Sequence, residues 1–503
     1  MKLKVKDLDI STGRNLIAIL NDEDARKLDL HALDRIKIFY GKKIETVILN
    51  IAETSKAVKP GEIGLVEEVM KSLGAKNNSL VDIMIARKPL SLEHIKKKLD
   101  GKTLTKKEID QIIWDIVHNK LSDIELTYFV AACYARTMNM QETINLTKSI
   151  AYQGDVLRMN KYPIVDKHCI GGIPGNRTSP ILVPIIASAG YTIPKTSSRS
   201  ITSPAGTADT VEVLCPVSFD INRMKKIVSK TNGCLVWGGA LNLAPADDKI
   251  IHVEKPLGID AESQLLASIL AKKLTVSSTH VIIDIPIGKN TKIENKKDAL
   301  ELKNKFETVG KAIGMHIEVV ITSGDEPIGY GIGPALEAKD ILYVLMRHPK
   351  RPLDLEDKCI MMAGKVFEML GEKNGKKKAR EILDSGKAYQ KFKEIIKAQG
   401  GNPNITPDKI QVGKFRYQFK SRKTGKIFMI NNYAISKISR IAGSPLDKGA
   451  GILLCKHVKD SIKKGEAIFE IYAGSKEKLD YARDIANEMD VVGIKNVERA
   501  YLS

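Results

Sequence analysis

The sequence is poor in aromatic residues, closely spaced cysteines and long apolar runs. Aromatic side chains make up 5% of the 503 residues, which leaves few surfaces for stacking against bases and disfavours a nucleic-acid partner. The six cysteines occur singly, without the spacings of zinc or dithiol sites. No apolar run is long enough to cross a bilayer, and the N-terminus has no apolar signal core. We therefore expect a cytoplasmic protein without membrane partners, disulfides or a bound metal.

Positive charge is in excess, with 80 Lys and Arg against 60 Asp and Glu, a formal net charge of +20. Nucleic-acid binding, an anionic small substrate and a solvated surface like that of heat-adapted proteins would each explain this excess. The lysines are spread along the whole chain. That distribution favours a small anion or a solvated surface over a nucleic acid.

The length exceeds what one hydrophobic core usually supports, so several domains are expected. Residues 1–88 carry β-branched runs such as "RIKIFY" from Arg35 and "ETVILNIAE" from Glu45, typical of a small β-rich domain. We expect a multidomain α/β protein in which a helical domain follows, then a central α/β domain with a mixed sheet and a C-terminal α+β domain. The predicted ranges are residues 1–88; 89–158 with about 246–275; 159–245 with about 276–420; and 421–503.

Three helix-start signals mark the helical region. Thr105 with Glu108 has the spacing of a capping box, and the same spacing recurs at Ser122 and Asn139. A bundle of three helices is predicted from about residue 103 to 153. The lysine-rich stretch at residues 373–380 is expected to be an exposed helix start or loop.

Two segments, "VDKHCIGGIPGNRTSP" and "KTSSRSITSPAGT", crowd glycine, hydroxyl and cationic residues between Val165 and Thr207. Phosphate needs convergent donors, which accessible backbone N–H groups, hydroxyls and Lys or Arg supply. The side-chain donors are Lys167, Ser179, Ser197, Ser198, Arg199 and Thr207, and the open backbone lies at Gly171, Gly172, Gly175 and Gly206. Ordinary turns would also use these residues, although two such loops with cations favour an anion site.

A second polar cluster follows Asp247 and runs through Asp260 into "ESQLLASILAKK". Gln264, Ser268 and Lys272 recur every four residues and share one helical face. A partly buried helix with a polar seam, capped by Asp260, is the simpler explanation of this pattern taken alone.

Five strings in order, "VDKH" with Gly-Gly, "SSR", "AGT-x-D", "NLAPAD" and "SILAKK", resemble the thymidine phosphorylase superfamily from about residue 103 to the end. The additional N-terminal domain makes the whole chain similar to the archaeal AMP phosphorylases. The resemblance implies that phosphate cleaves AMP, and also CMP and UMP, to the free base and ribose 1,5-bisphosphate in nucleotide salvage. It also implies a homodimer or larger assembly, a closing cleft between helical and α/β domains, and no cofactor, since phosphate is a co-substrate.

The resemblance also implies roles for individual residues. Lys167, Ser179, Ser197 and Thr207 match positions that hold the attacking phosphate, and Gly172 lies in the loop beside them. Ser268 and Lys272 match contacts to the base, Asp260 matches the proton donor, and Lys292 matches a further nucleotide contact. The nucleotide-binding segment is matched by Ser198, Arg199, Ser200, Ile201, Thr202 and Ser203.

Three departures from the thymidine enzymes bear on the substrate. Val253 stands at the position of a base-reading arginine, Cys169 replaces a hydroxyl of the phosphate site, and the second loop gains the hydroxyls of Ser200, Thr202 and Ser203. Loss of the pyrimidine-reading charge disfavours thymine. The added donors suit a 5′-monophosphate.

Three other activities stay open from the sequence. A pyrimidine nucleoside phosphorylase acting on thymidine or uridine is the nearest. A phosphoribosyltransferase would need a diphosphate and usually Mg²⁺, for which the sequence offers no acidic motif. A non-catalytic RNA-binding protein is supported by net charge alone.

Overall fold

The structure is a computed structural model, and it describes residues 1–13, 16–200, 203–259, 261–289 and 291–495. The chain forms two compact units, each built from two stretches. The first unit contains Met1–Gly154 and Ala244–Ala271, and the second contains Asp155–Leu243 and Lys272–Ser503.

The first unit begins with a closed six-stranded barrel, in the order β1-β5-β2-β4-β3-β6. Alternation explains the strands: in "KLKVKD" Leu3 and Val5 are buried while the lysines face outwards. The elements are β1 (Lys2–Asp7), β2 (Ile17–Asn21), α1 (Asp22–Lys27), β3 (Arg35–Tyr40), β4 (Lys43–Ala52), β5 (Glu62–Leu65), α2 (Glu67–Leu73) and β6 (Leu80–Ile85). The predicted β-rich region is confirmed.

Helices follow the barrel: α3 (Ser91–Leu99), α4 (Lys106–Val117), α5 (Asp123–Ala135) and α6 (Met140–Tyr152). Thr105, Ser122 and Asn139 each cap one of the last three helices in a complete capping box. The three predicted helix starts are therefore confirmed. The structure adds α3 before them.

The second unit contains parallel strands joined by helical crossovers. Its first elements are β7 (Val165–Cys169), α7 (Ser179–Ser188), β8 (Ile193–Ser197), α8 (Thr207–Val211), α9 (Ile221–Thr231) and β9 (Gly233–Trp237). Strands β8 and β9 pair in parallel, and a parallel bridge between Ile164 and Thr192 links β7 to them.

Helix α10 (Pro245–Leu257) lies in the first unit, and α11 (Glu262–Thr275) runs from the first unit into the second. The parallel sheet continues in the order β11-β10-β7. The elements here are β10 (His280–Ile287), α12 (Lys296–Ala312), β11 (His316–Ser323), β12 (Gly331–Ile332), α13 (Pro334–Leu345), α14 (Leu353–Met369), α15 (Gly375–Asp384) and α16 (Lys387–Ala398). Helix α7, apolar on all sides, lies in the core that α13, α14 and α16 share with the sheet.

Two antiparallel sheets follow, in the orders β12-β15-β17-β13 and β16-β14-β18. Their elements are β13 (Phe415–Lys420), β14 (Gly425–Ile430), α17 (Asn432–Ile441), β15 (Gly451–Leu454), β16 (Ser461–Ile462), β17 (Ala467–Ala473), α18 (Lys476–Glu488) and β18 (Val492–Lys495). This region has its own apolar core. The predicted fold class, a multidomain α/β protein with β-rich, helical, central α/β and C-terminal α+β parts, is confirmed. The prediction of a mixed central sheet was wrong, because helical crossovers connect its described strands and these pair in parallel.

Candidate active site at the strand ends

The parallel strands β7 and β8 each lead into one of the two polar segments singled out from the sequence. We call residues 170–178 the β7 loop and residues 198–206 the β8 loop. In open α/β sheets, ligands bind at the carboxyl ends of parallel strands. The fold therefore brings both loops to the place where such a site is expected.

Lys167 is the central cation of this region. It lies on β7, is 3% exposed, and its backbone N–H donates to Asp166 Oδ1 at 2.6 Å. Among the residues that the structure describes, its ammonium group has no hydrogen-bond or ion-pair partner. A buried ammonium group is costly without a counter-charge, and an anion bound beside Lys167 would reduce that cost.

Two further lysines surround the buried carboxylate of Asp166. Lys273 Nζ lies 2.7 Å from Asp166 Oδ2, and Lys195 Nζ lies 3.8 Å from Oδ1. Burial, followed by the charge of Lys273, lowers the pKa of Lys195 to about 7. Burial and the same lysines hold the pKa of His168 well below its usual range. One carboxylate thus faces more cationic groups than it can neutralise.

A second buried pair lies beside the β7 loop. Lys358 Nζ on α14 lies 2.9 Å from Asp284 Oδ2 on β10, and Thr322 Oγ1 donates to Asp284 Oδ1 at 2.6 Å. Burial alone would raise the pKa of Asp284, but the ammonium groups of Lys358 and Lys167 lower it. Asp284 therefore stays ionised. Positive charge is in excess at this edge, since two buried aspartates, Asp166 and Asp284, face four lysines: Lys167, Lys195, Lys273 and Lys358.

The predicted hydroxyl donors sit at element ends. Ser179 is the first residue of α7, Ser197 the last of β8 and Thr207 the first of α8. The buried hydroxyls of Ser197 and Thr178 have no hydrogen-bond partner within the described ranges. Thr178, which was not predicted as a donor, is thus a further hydroxyl at this edge.

Cys169 remains a neutral thiol, since burial raises its pKa to about 11. Its sulfur lies 3.3 Å from Asn176 Nδ2, which also lies 3.3 Å from Asp284 Oδ2. The amide of Asn176 therefore spans the β7 loop from Cys169 to the neighbouring strand.

Arg177 joins the two loops. Its Nη2 donates to the carbonyl oxygen of Ala205 in the β8 loop, and its Nε pairs with Glu337 on α13. The same carboxylate accepts Thr210 Oγ1 at 2.7 Å and the N–H of Gly333 at 3.2 Å. Arg177 was not predicted from the sequence as a functional residue, because its role appears only when its distant partners are known.

Asp209 fastens the β8 loop. Its Oδ2 accepts the N–H groups of Ser200 at 2.7 Å and of Gly206 at 2.9 Å. Ser200 Oγ donates to the carbonyl of Ser203, and Ser203 Oγ donates to that of Ala205 at 2.9 Å. The hydroxyls of Ser200 and Ser203 thus hold the backbone of this loop.

The tight loop requires glycine at position 206, because a Cβ atom there would lie 2.5 Å from the carbonyl oxygen of Ser198. Ser198 and Arg199 precede this turn. Ile201 and Thr202, predicted nucleotide contacts, lie outside the described residues.

Gly172 and Lys292 come together. Gly172 has φ +99°, and a Cβ atom there would lie 3.1 Å from the backbone nitrogen of Lys292. A side chain at position 172 would therefore be both strained and crowded. Two residues 120 positions apart in the sequence, both predicted to contact substrate, are neighbours in the second unit.

The predicted base contacts lie on α11. Ser268 belongs to the first unit and Lys272 to the second. Gln264, on the same helical face, has a buried amide without a hydrogen-bond partner among described residues. Asp260, the predicted proton donor, lies outside the described residues, and Val253 on α10 is buried.

No group of three or more His, Cys, Asp and Glu side chains within the described ranges is arranged to hold a metal ion. No helix there is both long and apolar enough to cross a membrane.

Three family matches cover most of the chain. Residues 92–154 match the helical bundle domain of the glycosyl transferase family, and residues 161–389 match the a/b domain of that family. Residues 427–491 match the pyrimidine nucleoside phosphorylase C-terminal domain. A solved anthranilate phosphoribosyltransferase from Thermus thermophilus has a similar fold, with a TM-score of 0.51 and 18% identity over 61% of this chain and 98% of its own.

Curated relatives match nearly the whole chain. The AMP phosphorylase of Pyrococcus furiosus is 46% identical over 500 residues, 99% of this chain and 98% of its own length. That of Thermococcus sibiricus is 45% identical over the same shares, and that of Methanococcus vannielii is 43% identical over 98% of each chain. With this identity over almost the full length of both partners, the chain belongs to the AMP phosphorylase family.

Proposed function

We propose that the protein cleaves the N-glycosidic bond of AMP with inorganic phosphate, releasing adenine and ribose 1,5-bisphosphate, and that CMP and UMP are also substrates. The buried ammonium group of Lys167, which has no hydrogen-bond or ion-pair partner among the described residues, carries this proposal, together with the excess of lysines around Asp166 and Asp284. An oxyanion bound there would supply the missing negative charge. The archaeal relatives named AMP phosphorylase indicate which reaction uses it.

The attacking phosphate would be held by Lys167, Ser179, Ser197 and Thr207. One phosphate oxygen forms a bond to C1′ of the ribose while the bond from C1′ to N9 of adenine breaks. The proton that phosphate loses on esterification is balanced by the proton that adenine gains. No covalent enzyme intermediate is needed.

Positive potential has a specific use in this reaction. The phosphate and the 5′-phosphate of AMP are both anions, and bringing them together in one site is repulsive. Buried cations placed in advance offset that repulsion without having to reorganise during the reaction. The lysines around Asp166 are such groups, since neighbouring strands and α11 hold them in place.

The remaining roles are proposed from the family resemblance. Asp260 would donate the proton to the leaving adenine, and Ser268 and Lys272 would contact the base. The β8 loop, residues 198–203 in particular, would hold the nucleotide, with Lys292 as a further contact. A carboxylic acid serves as proton donor near neutral pH only if its surroundings raise its pKa.

The test is to incubate the purified protein with AMP and phosphate, and with adenosine and phosphate in parallel, and to measure free adenine by chromatography. We expect phosphate-dependent release from AMP far above that from adenosine, with ribose 1,5-bisphosphate formed in equal amount. Release of base only from uridine or thymidine would instead favour a pyrimidine nucleoside phosphorylase. Dependence on a diphosphate and Mg²⁺ would favour a phosphoribosyltransferase.

We further propose that the protein acts in the cytoplasm as a homodimer or larger homo-oligomer, without a cofactor. Light scattering on the purified protein would measure the assembly. Undiminished phosphorolysis in a chelator would support the absence of a required metal.

A further inference from the structure

The guanidinium group of Arg199 in the β8 loop is held by two carboxylates and an aromatic ring. The carboxylate of Glu212 accepts hydrogen bonds from Arg199 Nη1 at 2.7 Å and from Nη2 at 2.5 Å, and Asp209 Oδ1 lies 3.1 Å from Nη1. The Cζ atom lies 4.7 Å from the centre of the Trp237 ring. The planar group is therefore fixed along its edge and on one face.

Glu212 has a second cationic partner. Lys448 Nζ, from the segment between α17 and β15, lies 2.6 Å from Glu212 Oε2. The backbone carbonyl of Lys448 accepts the N–H of Ala335 at the start of α13, which fixes the position of the lysine. One carboxylate thus lies between an arginine of the β8 loop and a lysine of the C-terminal region.

This cluster is balanced, unlike the lysines around Asp166. Arg199 and Lys448 supply two positive charges, and Asp209 and Glu212 supply two negative ones. If Arg199 turns towards a phosphate, it gives up part of its hold on Glu212. A carboxylate left unpaired would oppose that exchange, but Lys448 is already in place to keep it paired.

We propose that Glu212 and Lys448 set the affinity of the enzyme for the 5′-phosphate of its substrate. Glu212 retains Arg199 while the site is empty, and Lys448 keeps Glu212 paired when Arg199 turns to the phosphate. Both are positioning residues that act through Arg199 and need not touch the substrate. The inference rests on the proposed function, since it requires that the β8 loop receives a nucleotide.

Glu212 stays ionised near neutral pH. The hydrogen bonds from Arg199 are the largest influence on Glu212 and lower its pKa to about 2, with Lys448 contributing in the same direction. The effect of this cluster on the preference for AMP over adenosine should therefore be independent of pH in the neutral range. A variant that had lost its fold would not show a pH-independent change in the constants for AMP while the constants for adenosine stayed the same.

The test compares KM and kcat for AMP and for adenosine in four proteins: wild type, Glu212→Gln, Lys448→Met and the double variant. Lys448→Met should raise KM for AMP about two- to fivefold, the range for a partly exposed ion pair, and leave kcat and the constants for adenosine unchanged. Glu212→Gln should lower KM for AMP by a similar factor. The double variant should match Glu212→Gln, because Lys448 acts only through Glu212.

Lys365→Met is the matched control, since Lys365 pairs with Glu368 at 2.9 Å on the exposed side of α14, and its constants should equal those of wild type. An equal rise in KM from Lys448→Met in the Glu212→Gln background would overturn the inference. So would a higher KM for AMP in Glu212→Gln, or unchanged constants in both single variants when wild type prefers AMP. A wild type with no preference for AMP would overturn the proposed function itself.

Discussion

Arg177 Nη2 donates a hydrogen bond to the carbonyl oxygen of Ala205, so that one buried side chain connects the β7 and β8 loops. The other end of the guanidinium pairs with Glu337, which is itself buried and also holds Thr210. Burial raises the pKa of Glu337 even with Arg177 beside it. The loops assigned to phosphate and to nucleotide therefore have a common anchor in α13.

Arg177→Lys should weaken the binding of phosphate and the binding of AMP together. Lysine keeps a positive charge for Glu337, but its single ammonium group cannot reproduce the planar fork that reaches both Glu337 and Ala205. We expect KM for phosphate and KM for AMP to rise in parallel, while the circular dichroism spectrum stays that of the wild type. Arg380→Lys, at a more exposed pair with Asp357, is the control. A change in only one of the two KM values would contradict a shared anchor.

Lys167→Gln should remove most of the phosphate-dependent activity. Glutamine keeps a similar length but supplies no charge, so the oxyanion loses the charge of a buried cation. By comparison with the removal of a single preorganised donor, we expect kcat/KM for phosphate to fall by about a hundredfold or more. Lys365→Gln should leave it unchanged. Near wild-type activity in Lys167→Gln would mean that phosphate binds elsewhere.

Local signals were enough for the sequence to predict much of this arrangement. Thr105, Ser122 and Asn139 could be recognised as helix caps because each capping box lies within four residues. The dense glycine, hydroxyl and cationic composition of the two segments between Val165 and Thr207 pointed to an anion site for the same reason.

The ion pairs behind the loops could not be predicted in this way. Arg177 and Glu337 are separated by 160 positions, and Asp166 and Lys273 by 107. Composition and periodicity report on neighbours in sequence, whereas these pairs exist only because parallel strands and crossover helices bring distant segments together. The roles of Asp166 and Glu337 thus became visible only in the fold.

Asp260→Asn should separate binding from chemistry. If Asp260 protonates the leaving adenine, its amide variant loses general acid catalysis, typically worth about two to four powers of ten in rate. We expect kcat for AMP to fall in that range, while AMP still binds in equilibrium dialysis. Glu262→Gln, at the start of α11, is a nearby control for the loss of one carboxylate. An unimpaired Asp260→Asn enzyme would remove this residue from the mechanism.

Anion binding should weaken as the pH rises through about 7, because Lys195, whose pKa is about 7, then loses its proton. Sulfate is a suitable probe, since it keeps the same charge across this range while phosphate does not. We expect its inhibition constant against phosphate to rise above pH 7 in wild type and to stay flat in Lys195→Met.

The free energy of unfolding should also depend on the protonation of Lys195. It should rise with pH over the range in which anion binding weakens. The pKa of an unfolded lysine is about 10.4, so between pH 7 and that value the unfolded chain binds the proton that folded Lys195 has released. Linkage then makes the contribution of Lys195 to folding stability rise with pH over this interval. Denaturant unfolding from pH 7 to about 9 should show a steeper rise in wild type than in Lys195→Met. Equal slopes, together with a sulfate profile that keeps its inflection in the variant, would assign the titration to a group other than Lys195.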